Sequence, residues 1–256
     1  MKAYLTLLST DDYLDGTLAL YESLQMVGAK YPLVVAITNN ISPTTRSVLL
    51  QKKIETIEVQ DFTYRDSCNK LFVRRGMPHW THTAAKIRIF GLTQFEKIIF
   101  LDSDMMVIKN IDHLFDYEDG AAVKDSPMLY KENSAQHEQL NSGIMVIVPS
   151  KEKEEALIEL SKTNMGADQD LIRLLYSDWI KQPNLHLPAG YNIFNYKISD
   201  YISAGIRVED FYVIHFIGKE KPYMSFEKFP VNSLVNYFKR LYLALIEQAQ
   251  KDIKYL

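Results

Sequence analysis

Asp102 and Asp104 stand one residue apart in "KIIFLDSDMMVIKNIDHLFD", directly after an apolar run. Two carboxylates this close repel unless one takes up a proton or a counter-charge joins them, and a hard divalent cation serves that purpose. A D-x-D triplet alone fits a solvated acidic turn equally well. A second segment, "VIHFIGKEKPY", brings His215 to the end of another apolar run, followed by Gly218, Lys219 and Lys221. An imidazole joining two carboxylates suits Mn²⁺ better than Mg²⁺ or Ca²⁺, and lysines beside it suit phosphate. The ten glycines are all at least ten residues apart. Walker A loops and the dinucleotide fingerprint need clustered glycines and are excluded, so a bound diphosphate would have to be held by cations.

Elements that could present these groups follow from periodicity. "AYLTLL", a helix from Asp12 to Val27 closed by Gly28, "LVVAIT", a helix opening at Pro43 and "IETIEV" alternate as in an α/β fold with parallel strands. Residues 61–82 break the rhythm and read as a functional loop, followed by a helix from about Thr83 to Gln94. "KIIFL" is apolar throughout, as an internal parallel strand is when both faces are covered. Open α/β sheets bind ligands beyond the carboxyl ends of their strands, which is where Asp102 emerges. Strands "GAAVKD", "GIMVIV" and "YVIHF" and helices near Lys151–Ser161 and Asp168–Tyr176 complete the body. Residues 231–256 form an amphipathic helix, packed on the body or on a partner subunit, so a homodimer is one arrangement. The predicted organisation is a catalytic unit over 1–230 and this helix over 231–256.

The chain has 256 residues, 47% hydrophobic and 24% charged, with a formal charge of −3. It reads as globular, and no general attraction for nucleic acid or anionic membranes is expected. No apolar run reaches spanning length, and the single cysteine, Cys68, points to a reducing, cytoplasmic setting.

Together these segments resemble the retaining glycosyltransferases of family eight, in particular its glycogenin-like and galactinol-synthase-like branch. The similarity runs in order through "TLLSTDDY", "THTAAKIRIFGL", "FLDSDMMVIKNIDHLFD", "LNSGIMVIVPS", "GADQDLI", "HLPAGYN" and "VIHFIGKEKPY". It implies a single Rossmann-like GT-A nucleotide-diphospho-sugar transferase domain with a mostly parallel sheet. The implied reaction moves a hexose, glucose or galactose, from a UDP-sugar to a carbohydrate, polyol or protein acceptor. Asp102, Asp104 and His215 would hold Mn²⁺, with Mg²⁺ the alternative. Leu8, Thr10, Asp11 and Tyr13 would surround the nucleoside, with Ser103 near the ribose. Lys86, Arg75, Gly218 and Lys221 would meet the diphosphate side, and Asn141, Ser142, Asp168 and Gln169 the donor sugar. Lys86 and Asp168 are the expected catalytic pair.

Two departures stand out. Met165 occupies a position that is acidic in glycogenin-like members. Where such members modify a tyrosine of their own, this chain has Ser199, flanked by Tyr196 and Tyr201. Two rival readings remain: a non-catalytic UDP-sugar-binding scaffold, and a phosphohydrolase using the same aspartates, although Met106 departs from the latter's pattern.

Overall fold

The computed structural model describes residues 1–125, 139–218, 221–223 and 233–254. Lys219, Val231 and Leu256 lie outside them. In chain order the elements are β1 (Lys2–Leu8), α1 (Leu14–Met26), β2 (Leu33–Ile37), α2 (Pro43–Gln51), β3 (Glu55–Glu58), α3 (Asp66–Arg74), β4 (Lys97–Leu101), β5 (Met105–Val107), β6 (Ala122–Lys124), β7 (Leu140–Ile147), α4 (Lys151–Thr163), α5 (Asp168–Leu175), β8 (His186–Leu187), β9 (Ile193–Phe194), α6 (Ile198–Ser203), β10 (Val213–His215) and α7 (Leu234–Lys254).

Seven strands form the central sheet in the order β3-β2-β1-β4-β7-β6-β8. The pairs β3–β2, β2–β1, β1–β4 and β6–β8 are parallel, whereas β7 runs antiparallel to both β4 and β6. The expected mostly parallel α/β sheet is therefore present, with one reversed strand beside β4. Successive side chains of a strand face opposite sides, and here both sides are covered. Tyr4, Val35, Ile99 and Val146 join α1 and α2 in one core; Ala3, Val34, Ile98 and Met145 join α3, α4 and α5 in another. A small second sheet, β5-β10-β9, packs against α1, α6 and α7 in a third core.

The 61–82 stretch is more ordered than its sequence rhythm suggests, since α3 lies within it and buries Cys68 and Phe72. The helix expected from Thr83 starts earlier and is wound as a 3₁₀ helix over Pro78–Gly91. Thr81 and Thr83 donate their hydroxyls to the carbonyls three residues back, Pro78 at 2.7 Å and Trp80 at 3.0 Å, which favours the tighter turn. On α7, Phe238, Tyr242, Leu245, Ile246 and Ala249 are buried, and Gln250 Nε2 donates to Asp15 Oδ1 of α1 at 3.2 Å. The amphipathic helix packs on the body of its own chain. Among the described residues no helix is long and apolar enough to cross a membrane.

Candidate active site

β1 and β4 are neighbours, and the chain leaves the carboxyl end of each into one cleft of about 420 Å³. After β4, Asp102 donates its backbone N–H to the Gly143 carbonyl at 2.9 Å, and Met105 N–H returns to the Asp102 carbonyl at 3.2 Å. That turn delivers Asp104 to the start of β5. β10 pairs antiparallel with β5, setting His215 opposite Met105, and Phe216 N–H donates to the Asp104 carbonyl at 2.9 Å. The register thus carries His215 to the two aspartates. Gly143 makes this approach possible, because a β-carbon there would lie 2.8 Å from Met105 Cε and 2.9 Å from His215 Cε1.

Each carboxylate divides its two oxygens between a lysine and the imidazole. Lys86 Nζ donates to Asp102 Oδ1 at 2.9 Å, while Asp102 Oδ2 lies 3.9 Å from His215 Nε2. Lys221 Nζ donates to Asp104 Oδ2, and Asp104 Oδ1 lies 3.1 Å from His215 Nε2. One ligand atom from each of Asp102, Asp104 and His215 falls within 4.8 Å of the others. Two carboxylate oxygens and one imidazole nitrogen, facing inward at that spacing, fit a divalent cation of the Mn²⁺ or Mg²⁺ kind.

Lys86 is buried, lies 4.4 Å from the centre of the Phe100 ring, and also reaches Ser142 Oγ at 3.2 Å and Asp168 Oδ2 at 3.4 Å. Burial pulls its ammonium down, but Asp102 and Asp168 outweigh that and hold it above the ordinary lysine value. Lys221, which also donates to the Phe216 carbonyl at 3.0 Å, is raised against burial by Asp104. Burial would raise Asp104, yet Lys221 and His215 hold it well below the carboxylate range. Asp102 goes the other way: burial, helped by Asp104 and Asp168, lifts it above its ordinary value despite Lys86 and His215. The pair is thereby split, and the charge that Asp102 resists is what a cation would relieve.

The first residues of β7 hold the cleft together. Leu140 O accepts from Arg173 Nε at 2.9 Å, Ser142 N–H donates to Gln169 Oε1 at 3.0 Å, and Ser142 Oγ meets Lys86. The DxD loop rests on α1 and α7 from below. A β-carbon at Gly16 of α1 would lie 2.6 Å from the Ser103 carbonyl oxygen and 3.0 Å from the Tyr242 hydroxyl.

Of the residues expected from sequence, Tyr13, Lys86, Asp102, Ser103, Asp104, Ser142, Asp168, Gln169, His215, Gly218 and Lys221 line this cleft. Leu8 is fully buried, and its neighbours Leu7 and Ser9 line the cleft instead. Asp11 turns to α2, accepting from Ser42 N at 3.1 Å, with Thr10 just before it. Arg75 is exposed at the end of α3, and Asn141 is buried behind the cleft wall. Trp80, His82, Thr83, Asp170 and Arg173 also line it. Only the broken rhythm of 61–82 pointed toward the first two. Met165 is 41% exposed, with Arg65 Nη2 3.4 Å from its sulfur. Tyr201 is buried and donates to the Asn192 carbonyl at 3.2 Å, whereas Tyr196 is 51% exposed.

The model of glycosyl transferase family 8 matches residues 4–226. Glycogenin-1 of Homo sapiens is 32% identical over 230 residues, covering 87% of this chain and 62% of that protein. Galactinol synthase 3 of Arabidopsis thaliana is 36% identical over 127 residues, 48% of this chain and 37% of that one. The chain spans between 51% and 65% of the length of the glycogenin-1 proteins it matches. Among solved structures, the galactosyltransferase LgtC in complex with donor and acceptor sugar analogues shares the fold, with a TM-score of 0.62 at 15% identity over 95% of this chain and 96% of that one.

Proposed function

The chain belongs to glycosyl transferase family 8, and on that footing we propose that it is a retaining hexosyltransferase. It would take glucose or galactose from a UDP-sugar, pass it to a carbohydrate, polyol or protein acceptor, and release UDP. The observation that carries this reading is the meeting of Asp102, Asp104 and His215 within 4.8 Å in a cleft that also holds Lys86 and Lys221. A divalent cation on those three ligands, Mn²⁺ in preference to Mg²⁺ because one of them is an imidazole, would supply positive charge to the departing diphosphate.

The chain's own groups divide the remaining work. Lys86 and Lys221 put fixed positive charge where negative charge grows as UDP leaves, and Gly218 lets the backbone approach beside Lys221. Tyr13 and Ser103 line the nucleoside end of the cleft, close to the segment of Leu8, Thr10 and Asp11, with Arg75 farther out on the diphosphate side. Ser142, Asp168 and Gln169 face the donor sugar, with Asn141 behind them. Asp168, tied to Lys86, is the residue we assign to orient the sugar. The catalytic unit is assigned to 1–230 and α7 supports it; a single cysteine accords with a reducing, cytoplasmic setting.

A thermal-shift panel of nucleotide sugars with and without Mn²⁺ tests the donor, because a ligand that binds only the native state raises its melting temperature. UDP release from the stabilising donor is the expected companion. Binding without turnover on any acceptor would favour the scaffold reading, and phosphate release from simple phosphomonoesters the phosphohydrolase. Of Tyr196 and Tyr201, Tyr196 is the exposed one, and a mass gain of one hexose after incubation with UDP-glucose and Mn²⁺ that is lost in Tyr196→Phe would identify it as an acceptor.

A further inference from the structure

His215 is held from behind by a chain of buried amides that ends on a charge pair. Its Nδ1 lies 2.9 Å from Asn192 Oδ1. Asn192 Nδ2 donates to Asn141 Oδ1 at 2.8 Å, and that oxygen also accepts Gly143 N–H at 2.9 Å. Asn141 Nδ2 then donates to Asp125 Oδ1 at 3.3 Å, and Asp125 Oδ2 accepts from Arg173 Nη2 at 2.5 Å.

The direction of this chain is fixed. A carboxylate paired with arginine only accepts, so Asn141 must turn its NH₂ toward Asp125 and its oxygen toward Asn192. Asn192 must then turn its own oxygen toward His215, which makes Nδ1 the protonated ring nitrogen. In the neutral ring the lone pair of Nε2 then faces Asp104 Oδ1 at 3.1 Å and Asp102 Oδ2 at 3.9 Å. Three acceptor atoms turned inward are what a cation requires.

We propose that Asn192, Asn141 and Asp125 form a positioning relay that locks His215 in its Nδ1–H tautomer as a metal ligand. Because Arg173 is on α5 with Asp168 and Gln169, the relay also ties the metal grip to the sugar side of the cleft. Asn141, expected beside the sugar, acts in this reading through His215. The proposal rests on the metal reading above.

Two measurements separate them. In metal-free protein, in mildly alkaline solution, long-range ¹H–¹⁵N spectra of the His215 ring, assigned by their loss in His215→Gln, should show the Nδ1–H tautomer. Asn192→Ala should turn this into a mixture. Calorimetric titration with Mn²⁺ should show affinity falling about 10- to 100-fold in Asn192→Ala. Asp125→Asn, at the outer end, replaces a pure acceptor by a group that can reverse the chain; it should weaken Mn²⁺ several-fold in protein that still unfolds cooperatively. It also keeps the test alive if Asn192→Ala does not fold. An Nε2–H tautomer in the wild type, or unchanged Mn²⁺ affinity in either folded variant, overturns the relay. Absence of Mn²⁺ binding to the wild type would overturn the metal reading instead, and the tautomer spectra would still decide the relay.

Discussion

Lys86 Nζ binds Asp102 Oδ1 at 2.9 Å while the other oxygen of that carboxylate turns toward His215, so one aspartate joins the fixed cation of the 3₁₀ helix to the imidazole at the end of β10. Lys86→Met should keep the fold and lower turnover of the donor by about 10²- to 10³-fold, as the loss of one preorganised donor to a developing anion does. Lys86→Arg, which keeps the charge, should lose less. Steady-state kinetics of UDP release measure both.

The two aspartates should part company in metal-free protein. Asp104 is held below the usual carboxylate range by Lys221 and His215 against burial; its contribution to stability is present above the unfolded value and lost as pH falls through the folded one. Asp102 is raised, chiefly by burial, so its contribution is present in acid and lost as pH rises through its folded value. At neutral pH with chelator, Asp104→Asn should lower the melting temperature and Asp102→Asn should preserve or raise it. The reverse order would contradict the assignment.

Adding Mn²⁺ should raise the melting temperature of the wild type, and chelation should reverse it. The gain should shrink toward acid pH, since metal ligands bind deprotonated and Asp102 is the carboxylate easiest to protonate. Asp102→Ala and Asp104→Ala should abolish both the Mn²⁺ effect and metal-dependent UDP binding in folded protein. Calorimetry on each variant checks this.

Gly143→Ala places a methyl group 2.8–3.0 Å from Met105 Cε, His215 Cε1 and Asn141 Oδ1. Overpacking of this kind costs about 1–3 kcal/mol. Denaturant unfolding should show that loss, together with weaker Mn²⁺ binding as His215 is pushed out of line.

Tyr242 is fully buried, and its hydroxyl has no hydrogen-bond partner among the described residues. Tyr242→Phe removes a stranded polar atom and keeps the ring, so stability should rise by about 1 kcal/mol with turnover unchanged. A large loss of turnover would mean that the hydroxyl serves the loop above it.

Much of this was readable in the sequence where local pattern and chemistry coincide. Asp102 was visible because "KIIFL" stops at it, His215 because "VIHF" does, and Lys86 and Lys221 through motif resemblance. What escaped depends on distant pairing. β5 is too short to show a period, and β7 reads the same whether parallel or antiparallel because both its faces are covered. Asn192, Asp125 and Arg173 are ordinary polar residues until the start of β9, the end of β6 and α5 bring them, through Asn141, into one chain behind His215. The 3₁₀ winding of Pro78–Gly91 was hidden because its apolar residues suit an α-helix equally well, while its threonines choose the tighter turn.

The pairing of β5 with β10 joins Asp104 to His215 across 111 positions of sequence. During synthesis the central strands through β4 can meet long before β10 leaves the ribosome, so the acidic loop waits, complete in sequence but without its imidazole. Closure of the small sheet is therefore the step at which the three proposed metal ligands come together in the nascent chain, and a bound cation would act as a clasp on that seam.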